Sequence, residues 1–402
     1  MDKSEFRGTR LKSARLFRGM TLTGLSSATG ISKQSISLYE NDKNKPEFDN
    51  IQKISNALMF PTEFFLQKDS CKTSTEVTYF RSLASATKMD RTSQSIKLEY
   101  VAKIYEILSN YIDFPSLNLP TVDFTDSFSD SFEENNELLC NEIERISSTL
   151  RNYWDIGDGP IGNLQFILEK NGFIVTGFDT NENAIDAFSQ HTVLNNGDVF
   201  FISVDQGKKP EGRIRFDLSH ELGHILLHPW SESLDLIDKD EFKLREKQAN
   251  MFASSFLLPK SSFGKEVQAY PTSLQYYEML KKKWKVSIQA MIYRSYQLNI
   301  ISNNQFQYLM RQVSKKGWRQ KEPGDKPYFL NANIFQGAID LLIEEKILSP
   351  EGLMRLFRKY GITMFPKDIE DLLSLKKGIL SSKTELTPII QLKRYQEKNE
   401  AL

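Results

Sequence analysis

The chain has 402 residues, which is enough for two to four domains, and its 52 basic residues balance its 52 acidic residues. This balance excludes a generally basic protein, so any contact with nucleic acid has to come from a local patch. Cys71 and Cys140 are the two cysteines, which excludes a disulfide framework and suits a reducing compartment. Neither an N-terminal signal nor an apolar run of membrane-spanning length is evident. We expect a cytoplasmic protein without membrane contact.

Residues 1–70 are predicted to form a small helical domain that contains a helix-turn-helix. Two helices, over residues 21–29 and 32–41, flank Gly30, and Ser32 is a suitable N-cap for the second helix. Apolar residues before and after this pair supply a small core. A helical module for dimerisation or partner binding is the alternative to a DNA-binding domain.

The helix after Gly30 would be the recognition helix, whose N-terminal residues face base edges in the major groove. Lysine can donate to guanine, and glutamine can bridge the edge of adenine. Lysines after this helix and a basic segment before the pair would contact phosphates without reading the base sequence. The residues predicted to contact DNA are Lys33, Gln34, Ser35, Ser37, Lys43 and Lys45. The basic segment contributes Lys3, Arg7, Arg10, Lys12, Arg15 and Arg18.

Residues 71–137 are predicted to be a helical connector that ends in an acidic linker. The linker, over residues 123–137, contains six acidic residues and no basic residue. At the other end of the chain, residues 321–402 begin with a stretch of helix breakers over residues 322–327. They are predicted to be a helical C-terminal region of unknown role with a polar tail.

The pattern changes at residue 138. Helices are predicted over residues 138–154 and 161–170, and β-strands over residues 173–178 and 199–204. The predicted fold class is therefore mainly α with a small β-sheet (α+β).

The most informative motif is His220-Glu-Leu-Gly-His224, which is the HExxH signature of zinc peptidases. On a helix the two histidines lie one turn, or roughly 6 Å, apart on the same face, so both imidazoles can bind one ion. Glu221 then projects beside the metal, where a water molecule has to lose its proton. A solvated helix with accidental histidines is the alternative, but the apolar neighbours of the motif make buried, unpaired His and Glu costly.

A second helix, predicted over residues 244–259, supplies a carboxylate. Glu246 is expected to be the third metal ligand. Asn250, one turn later, is expected to orient one of the ligand side chains by a hydrogen bond without binding the metal itself. Two histidines and one glutamate leave the fourth tetrahedral position for water, as a catalytic zinc requires. We expect one zinc ion per chain, with another divalent ion as the alternative. His228 lies about 12 Å from His220 along a straight helix and is expected at the helix end rather than on the metal.

The helix-turn-helix region contains the run Leu25…Gly30-Ile-Ser-Lys-Gln-Ser-Ile-Ser-Leu-Tyr-Glu-Asn41…Pro46. Residues 7–67 therefore resemble an XRE-type (lambda repressor-like) helix-turn-helix domain, which implies a five-helix fold. In that family an arginine of the first helix pairs with a glutamate of the recognition helix, and Arg15 and Glu40 occupy these places. Helix two of the family often begins with a glutamine, where this chain has Leu22.

The region 138–320 carries further motifs, namely Trp154…Gly157-Asp-Gly-Pro160, Ile185-Asp-Ala-Phe188, Arg213-Ile-Arg-Phe216, the HExxH segment and Glu246-Lys-Gln-Ala-Asn-Met-Phe-Ala253. In combination they resemble the ImmA/IrrE family of metallopeptidases. The resemblance implies a gluzincin-like core, with zinc ligands His220, His224 and Glu246 and with Glu221 as general base. It also implies a bacterial or mobile-element regulator, in which the peptidase often removes a repressor when a signal arrives.

Together these features predict a DNA-binding transcriptional regulator with a zinc-dependent endopeptidase domain, which cleaves a repressor, another regulatory protein or itself in response to a signal. The expected partners are a double-stranded operator, a protein substrate and a second copy of the chain. One alternative is a regulator whose metal site only senses or stabilises, and another is a toxin–antitoxin or phage-related regulator without protease activity. Glu221 favours the enzyme, because a metal sensor does not need a general base.

Overall fold

The structure is a computed structural model that describes residues 5–67, 74–80, 87–122, 137–178, 187–194, 197–205, 209–229, 237–330 and 333–381. Most of the predicted acidic linker and of the polar tail lies outside these residues. The N-terminal half contains α1 (Gly8–Phe17), α2 (Leu22–Thr29), α3 (Lys33–Glu40), α4 (Phe48–Leu58), β1 (Ser74–Phe80), α5 (Lys88–Leu108), α6 (Glu137–Tyr153), α7 (Leu164–Lys170), β2 (Phe173–Phe178) and β3 (Ala187–Leu194). The rest contains β4 (Gly197–Asp205), α8 (Glu211–Leu227), α9 (Lys239–Leu257), α10 (Lys265–Val267), α11 (Leu274–Trp284), α12 (Ile288–Gln297), α13 (Asn303–Lys315), α14 (Ile334–Glu344), α15 (Pro350–Lys359) and α16 (Pro366–Leu372).

The four strands form one mixed sheet in the order β1-β3-β4-β2. β3 pairs antiparallel with both β1 and β4, whereas β2 pairs parallel with β4. The α+β fold class predicted from the sequence is confirmed.

The sheet separates two hydrophobic cores, because successive side chains of a strand point to opposite faces. On β4, Phe200 and Ile202 belong to the core that includes residues of α6 to α9 and of α11 to α13. Val199 and Phe201 belong to a second core on the other face, which includes residues of α1 to α5 and of α14 to α16. The helix-turn-helix domain therefore packs into the same core as the back of the sheet.

The N-terminal domain consists of α1 to α4 and a short 3₁₀ helix over Thr62–Leu66. Gly30, between α2 and α3, has a φ of +71°, in the left-handed region that glycine adopts at little cost. The Ser32 hydroxyl caps α3 by accepting a hydrogen bond of 3.1 Å from the Ser35 amide. The predicted helix pair around Gly30 and its N-cap are confirmed.

The C-terminal region connects the N-terminal domain to the sheet. The buried Arg10 of α1 donates a hydrogen bond of 2.8 Å to the Gly361 carbonyl. At the far side of the region, the Gly177 amide of β2 donates to the Ser374 hydroxyl over 3.1 Å. The region of unknown role thus lies between the N-terminal domain and strand β2.

The helical prediction for the connector holds for α5 but was wrong for residues 74–80, which form β1. Thr75, Val77 and Tyr79 alternate as β-branched or aromatic residues, and this pattern is typical of a strand. Strand β3 was not predicted, because its buried polar residues hide the hydrophobic pattern. Both strands complete the sheet that carries the site described below.

Candidate metal centre and nucleic-acid interface

Close packing of α8 against α9 brings the predicted metal ligands together. Gly223 lies at the contact, where a Cβ atom would be 3.2 Å from the Ala249 Cα and 3.1 Å from the Phe252 ring. Most Cβ atoms do not approach other atoms so closely, so glycine at this position allows the short distance between the helices. Glu246 on α9 consequently reaches the two histidines on α8.

His220, His224 and Glu246 offer three ligand atoms that all lie within 4.8 Å of one another. The His220 and His224 Nε2 atoms are 3.0 Å apart, and the Glu246 carboxylate oxygens are 3.1 Å from His224 Nε2 and 3.5 Å from His220 Nε2. Two ligand atoms on a tetrahedral zinc ion, each about 2.0–2.1 Å from the metal, are about 3.3 Å apart. The donor set and its spacing therefore fit a single zinc ion.

Hydrogen bonds outside the ligand set orient the His220 ring. His220 Nδ1 is 3.1 Å from Asn250 Oδ1, and an N–H at this position donates to the amide oxygen. This fixes the tautomer in which Nε2 keeps its lone pair for a metal. Asn250, predicted to orient a ligand, lies within hydrogen-bond distance of His220.

His228 and Gln248 orient the His224 ring in the same way. His228 Nε2 donates to Gln248 Oε1 over 2.9 Å, so His228 Nδ1 is left as the acceptor. His224 Nδ1 lies 2.9 Å from His228 Nδ1 and donates to it, which leaves His224 Nε2 free to bind a metal. Burial, followed by the proximity of His224, lowers the pKa of His228, which keeps its ring neutral.

His228 is the C-cap residue of α8, as the sequence predicted, but its partners are side chains rather than free carbonyls. Gln248 was not predicted from the sequence. Its position two residues after Glu246, on a helix that faces a histidine-rich one, is the signal that could have identified it.

The Glu246 carboxyl group is ionised. Burial raises its pKa, but the contacts of the carboxylate with His220 and His224 outweigh that effect and lower the pKa to about 2. The Glu246 side chain is 19% exposed, whereas that of His220 is fully buried. The carboxylate is therefore present in the form that binds a cation.

Glu221 lies next to the predicted ligands but is not one of them. Its side chain is fully buried on α8, and its Oε2 atom accepts a hydrogen bond of 2.7 Å from the Ser189 hydroxyl. Ser189 belongs to β3, on the sheet face that α8 covers. Ser189 was not predicted to belong to the site, because β3 itself was not predicted.

The side chains predicted to contact DNA lie in and after α3. Lys33 and Gln34 are exposed on its first turn, and Lys43 is exposed beyond its end. Ser35 and Ser37 are half-buried, and the Ser35 hydroxyl lies 2.8 Å from that of Ser32. The exposed Lys45 forms an ion pair with Glu5.

The prediction that the basic segment contacts phosphates was wrong for Arg10 and Arg18. Arg15 is buried and forms a bidentate ion pair with Glu40, with distances of 2.5 and 2.8 Å, which is the structural pair predicted from the sequence. Arg18 donates to both carboxylate oxygens of Asp368 over 2.8 and 2.9 Å. Arg10 is buried against Gly361, as described above. These guanidinium groups hold the domain together and attach it to the C-terminal region.

Two segments of the chain match known families. Residues 11–65 match the model of a helix-turn-helix family, and residues 174–296 match the model of the IrrE N-terminal-like domain. The chain joins an XRE-type helix-turn-helix to an ImmA/IrrE-like peptidase domain. No curated protein matches the chain. Among the described residues, no helix is both long and apolar enough to cross a membrane.

The match to the IrrE N-terminal-like domain begins in β2 and ends in α12. It includes the three clustered ligand residues, Glu221 and Ser189. Strand β1, helix α5 and everything after residue 296 lie outside both matched segments.

Proposed function

We propose that this helix-turn-helix regulator carries an active zinc endopeptidase, which cleaves a repressor, another regulatory protein or the chain itself in response to a signal. The observation that carries this proposal is the arrangement of His220, His224 and Glu246 within 4.8 Å of one another, with the buried Glu221 beside them. A structural zinc site uses four protein ligands, whereas a catalytic site uses three and leaves one position open.

The proposed roles follow from the donor set. His220, His224 and Glu246 would hold one zinc ion, although another divalent ion is compatible with two imidazoles and a carboxylate. When bound, the ion would supply Lewis acidity, which polarises a peptide carbonyl and acidifies a water molecule. Glu221, oriented by Ser189, would take the proton of that water and then donate it to the leaving amine.

The proposed regulatory role rests on the exposed first turn of α3. Lys33, Gln34, Ser35 and Ser37 would face the bases of an operator, and Lys43 and Lys45 would face phosphates. Because a single helix-turn-helix usually reads paired half-sites, we propose that two copies bind the operator as a homodimer. Such a protein would act in the cytoplasm.

The decisive experiment uses the full-length protein loaded with zinc. It is incubated with a soluble extract of its source cells and with itself, and new N-termini are labelled and identified by mass spectrometry. We expect a small set of zinc-dependent cuts with the wild type and none with Glu221→Gln, whose amide cannot accept the proton at neutral pH. Glu345→Gln, an exposed position after α14, is the matched control and should cut normally.

Zinc content and operator binding are measured for the same proteins. Glu221→Gln should retain both, because Glu221 is not among the three clustered ligand residues and α3 is distant in sequence. If Glu221→Gln cuts as well as the wild type, Glu221 is not the base. If no zinc-dependent cut occurs with the wild type either, the metal site only senses or stabilises, and the enzyme assignment is withdrawn.

A further inference from the structure

A groove of about 540 Å³ adjoins the metal centre. Asn250, which accepts the hydrogen bond from His220, lines one end of it, and Ser254, one turn later on α9, continues the same wall. Phe216 lies one turn before His220 on α8 and also lines the groove. A polypeptide bound at the metal centre would therefore extend toward this groove.

The groove presents apolar side chains from four parts of the fold. Phe216 comes from α8, Ala290 from α12, and Phe306 and Met310 from α13, while Trp318 follows α13. The four larger side chains are only half-buried, so their apolar surface is accessible. Concave sites with such a lining bind apolar groups, because burial removes apolar surface from water on both sides.

The outer wall of the groove is held by ion pairs. Lys281 on α11 lies 2.8 Å from a Glu322 oxygen and 2.5 Å from an Asp325 oxygen. The Glu322 carboxylate also accepts from the Ile288 and Gln289 amides at the start of α12, over 2.7 and 3.1 Å. A carboxylate at a helix N-terminus is stabilised by the positive end of the helix dipole. The wall after Trp318 is thus fixed before any substrate arrives.

Ion pairs also engage two of the basic side chains that line the groove. Lys281 faces two carboxylates, and Arg213 lies 3.3 Å from the carboxylate of the buried Asp217, while the third basic side chain, Arg319, is exposed. A charged substrate side chain would have to compete with these pairs and lose its hydration, which is costly. A neutral, apolar side chain meets no such cost.

We propose that this groove is a specificity pocket, which binds a large apolar side chain, aromatic or long aliphatic, next to the scissile bond of the protein substrate. The inference rests on the proposed function, since it assigns the substrate preference of the same metal centre. Phe306, Met310 and Trp318 lie beyond residue 296, where the IrrE N-terminal-like match ends. Part of the proposed pocket therefore lies outside the segment that matches the family model.

The first test measures which peptide bonds are cut. Zinc-loaded full-length protein digests a library of peptides made from a tryptic digest, and mass spectrometry identifies the new ends. We expect Phe, Leu, Met, Tyr or Trp to be enriched at one position within two residues of the cut. Cuts that depend on Glu221 but show no apolar enrichment would refute the pocket while leaving the peptidase assignment intact.

The second test measures binding without turnover. Dipeptide hydroxamates with a Phe, an Ala or an Asp side chain are titrated calorimetrically into the zinc-loaded protein. The Phe compound buries several more apolar carbons than the Ala compound. We therefore expect its dissociation constant to be lower by about tenfold or more. Equal affinity of the two compounds would overturn the proposal. Absence of any zinc-dependent binding would instead count against the metal site itself, and so against the proposed function.

Substitutions of groove residues test whether the preference for the Phe compound arises in this groove. Trp318→Ala and Met310→Asp should each reduce the preference for the Phe compound by about fivefold or more, with little change for the Ala compound. Met279→Asp on α11 is the matched control, because Met279 is 65% exposed and does not line the groove. If Met310→Asp fails to fold, Trp318→Ala decides the result. An unchanged preference in the folded variants contradicts the assignment of this groove.

Discussion

Ser189 of β3 donates a hydrogen bond of 2.7 Å to the Glu221 carboxylate of α8, across the interface between the sheet and the helix layer. Both side chains are fully buried. The three proposed ligand residues come from helices alone, whereas the neighbouring acid is oriented by a strand. The geometry of the proposed base therefore depends on the packing of α8 onto β3.

We predict that Ser189→Ala lowers peptidase activity by about tenfold, because the carboxylate loses a fixed orientation and general bases contribute 10²- to 10⁴-fold in all. The loss should fall on kcat with little change in KM, and zinc content should stay at one ion per chain. Ser189→Thr, which keeps a hydroxyl, should recover most of the activity.

The matched control for this prediction is Ser203→Ala. Ser203 is also a fully buried serine, but it bonds to Thr176 within the sheet, with the two hydroxyl oxygens 3.1 Å apart. It should reduce stability without a selective loss in kcat. If both serine variants lose activity in proportion to stability, Ser189 has only a structural role.

The second prediction concerns the contact between α8 and α9. Gly223→Val should weaken zinc binding by about tenfold or more, because its side chain would force Ala249 and Phe252 away and shift Glu246 from the histidines. A chelator competition measures the zinc affinity directly. Gly337→Ala in α14 is the control, since no atom lies within 4 Å of its added Cβ, and it should leave zinc affinity unchanged. Unaltered zinc affinity in a folded Gly223→Val protein would contradict this account.

Much of this site was predictable from local sequence. The spacing within His220-Glu-Leu-Gly-His224 and the helix around Glu246 were sufficient to propose the ligand set, because helical periodicity fixes which residues share a face. The caps and the turn at Gly30 were equally local. Each of these features is determined by residues within a few positions of it in the sequence.

What sequence reasoning missed depends on contacts between distant segments. Strand β3 carries Ser189 and Gln190, whose burial is acceptable only because the fold supplies polar partners. Arg10 and Arg18 appear as free positive charges in the sequence, but their partners lie about 350 positions later in the C-terminal region. The groove at Trp318 likewise requires residues from α8 through Asp325 to be in contact.

The third prediction separates base contacts from phosphate contacts on the proposed DNA-binding surface. Gln34→Ala should relax the base preference at one position of the operator by about 1–3 kcal/mol while leaving binding to random duplex unchanged. Lys43→Ala should weaken binding to all sequences and reduce the slope of log K against log salt by about one. Fluorescence anisotropy at several salt concentrations measures both effects.

The control for the DNA prediction is Lys315→Ala, at an exposed lysine at the end of α13. It should change neither the base preference nor the salt dependence. Equal effects of Lys315→Ala and Lys43→Ala would indicate a general charge effect rather than a phosphate contact at α3.

The last prediction concerns pH and the buried Glu169 of α7. Burial raises the pKa of this carboxyl to about 7, and hydrogen bonds from the Gln165 side chain and the Ile334 amide offset only part of the increase. Because the folded-state pKa lies above the usual value of 4.5, the folded chain keeps a proton that the unfolded chain loses. Stability from this group is therefore present below pH 4.5 and is lost as the pH rises to about 7.

Glu169→Gln removes this dependence while keeping a hydrogen-bond acceptor at the same place. The free energy of unfolding of the variant should equal that of the wild type near pH 4.5 and exceed it by up to about 3 kcal/mol at pH 8. Urea denaturation at a series of pH values measures the difference, and the exposed Glu345→Gln serves as the control. A difference between Glu169→Gln and wild type that stays constant from pH 4.5 to 8 would show that Glu169 is ionised throughout this range in the folded protein.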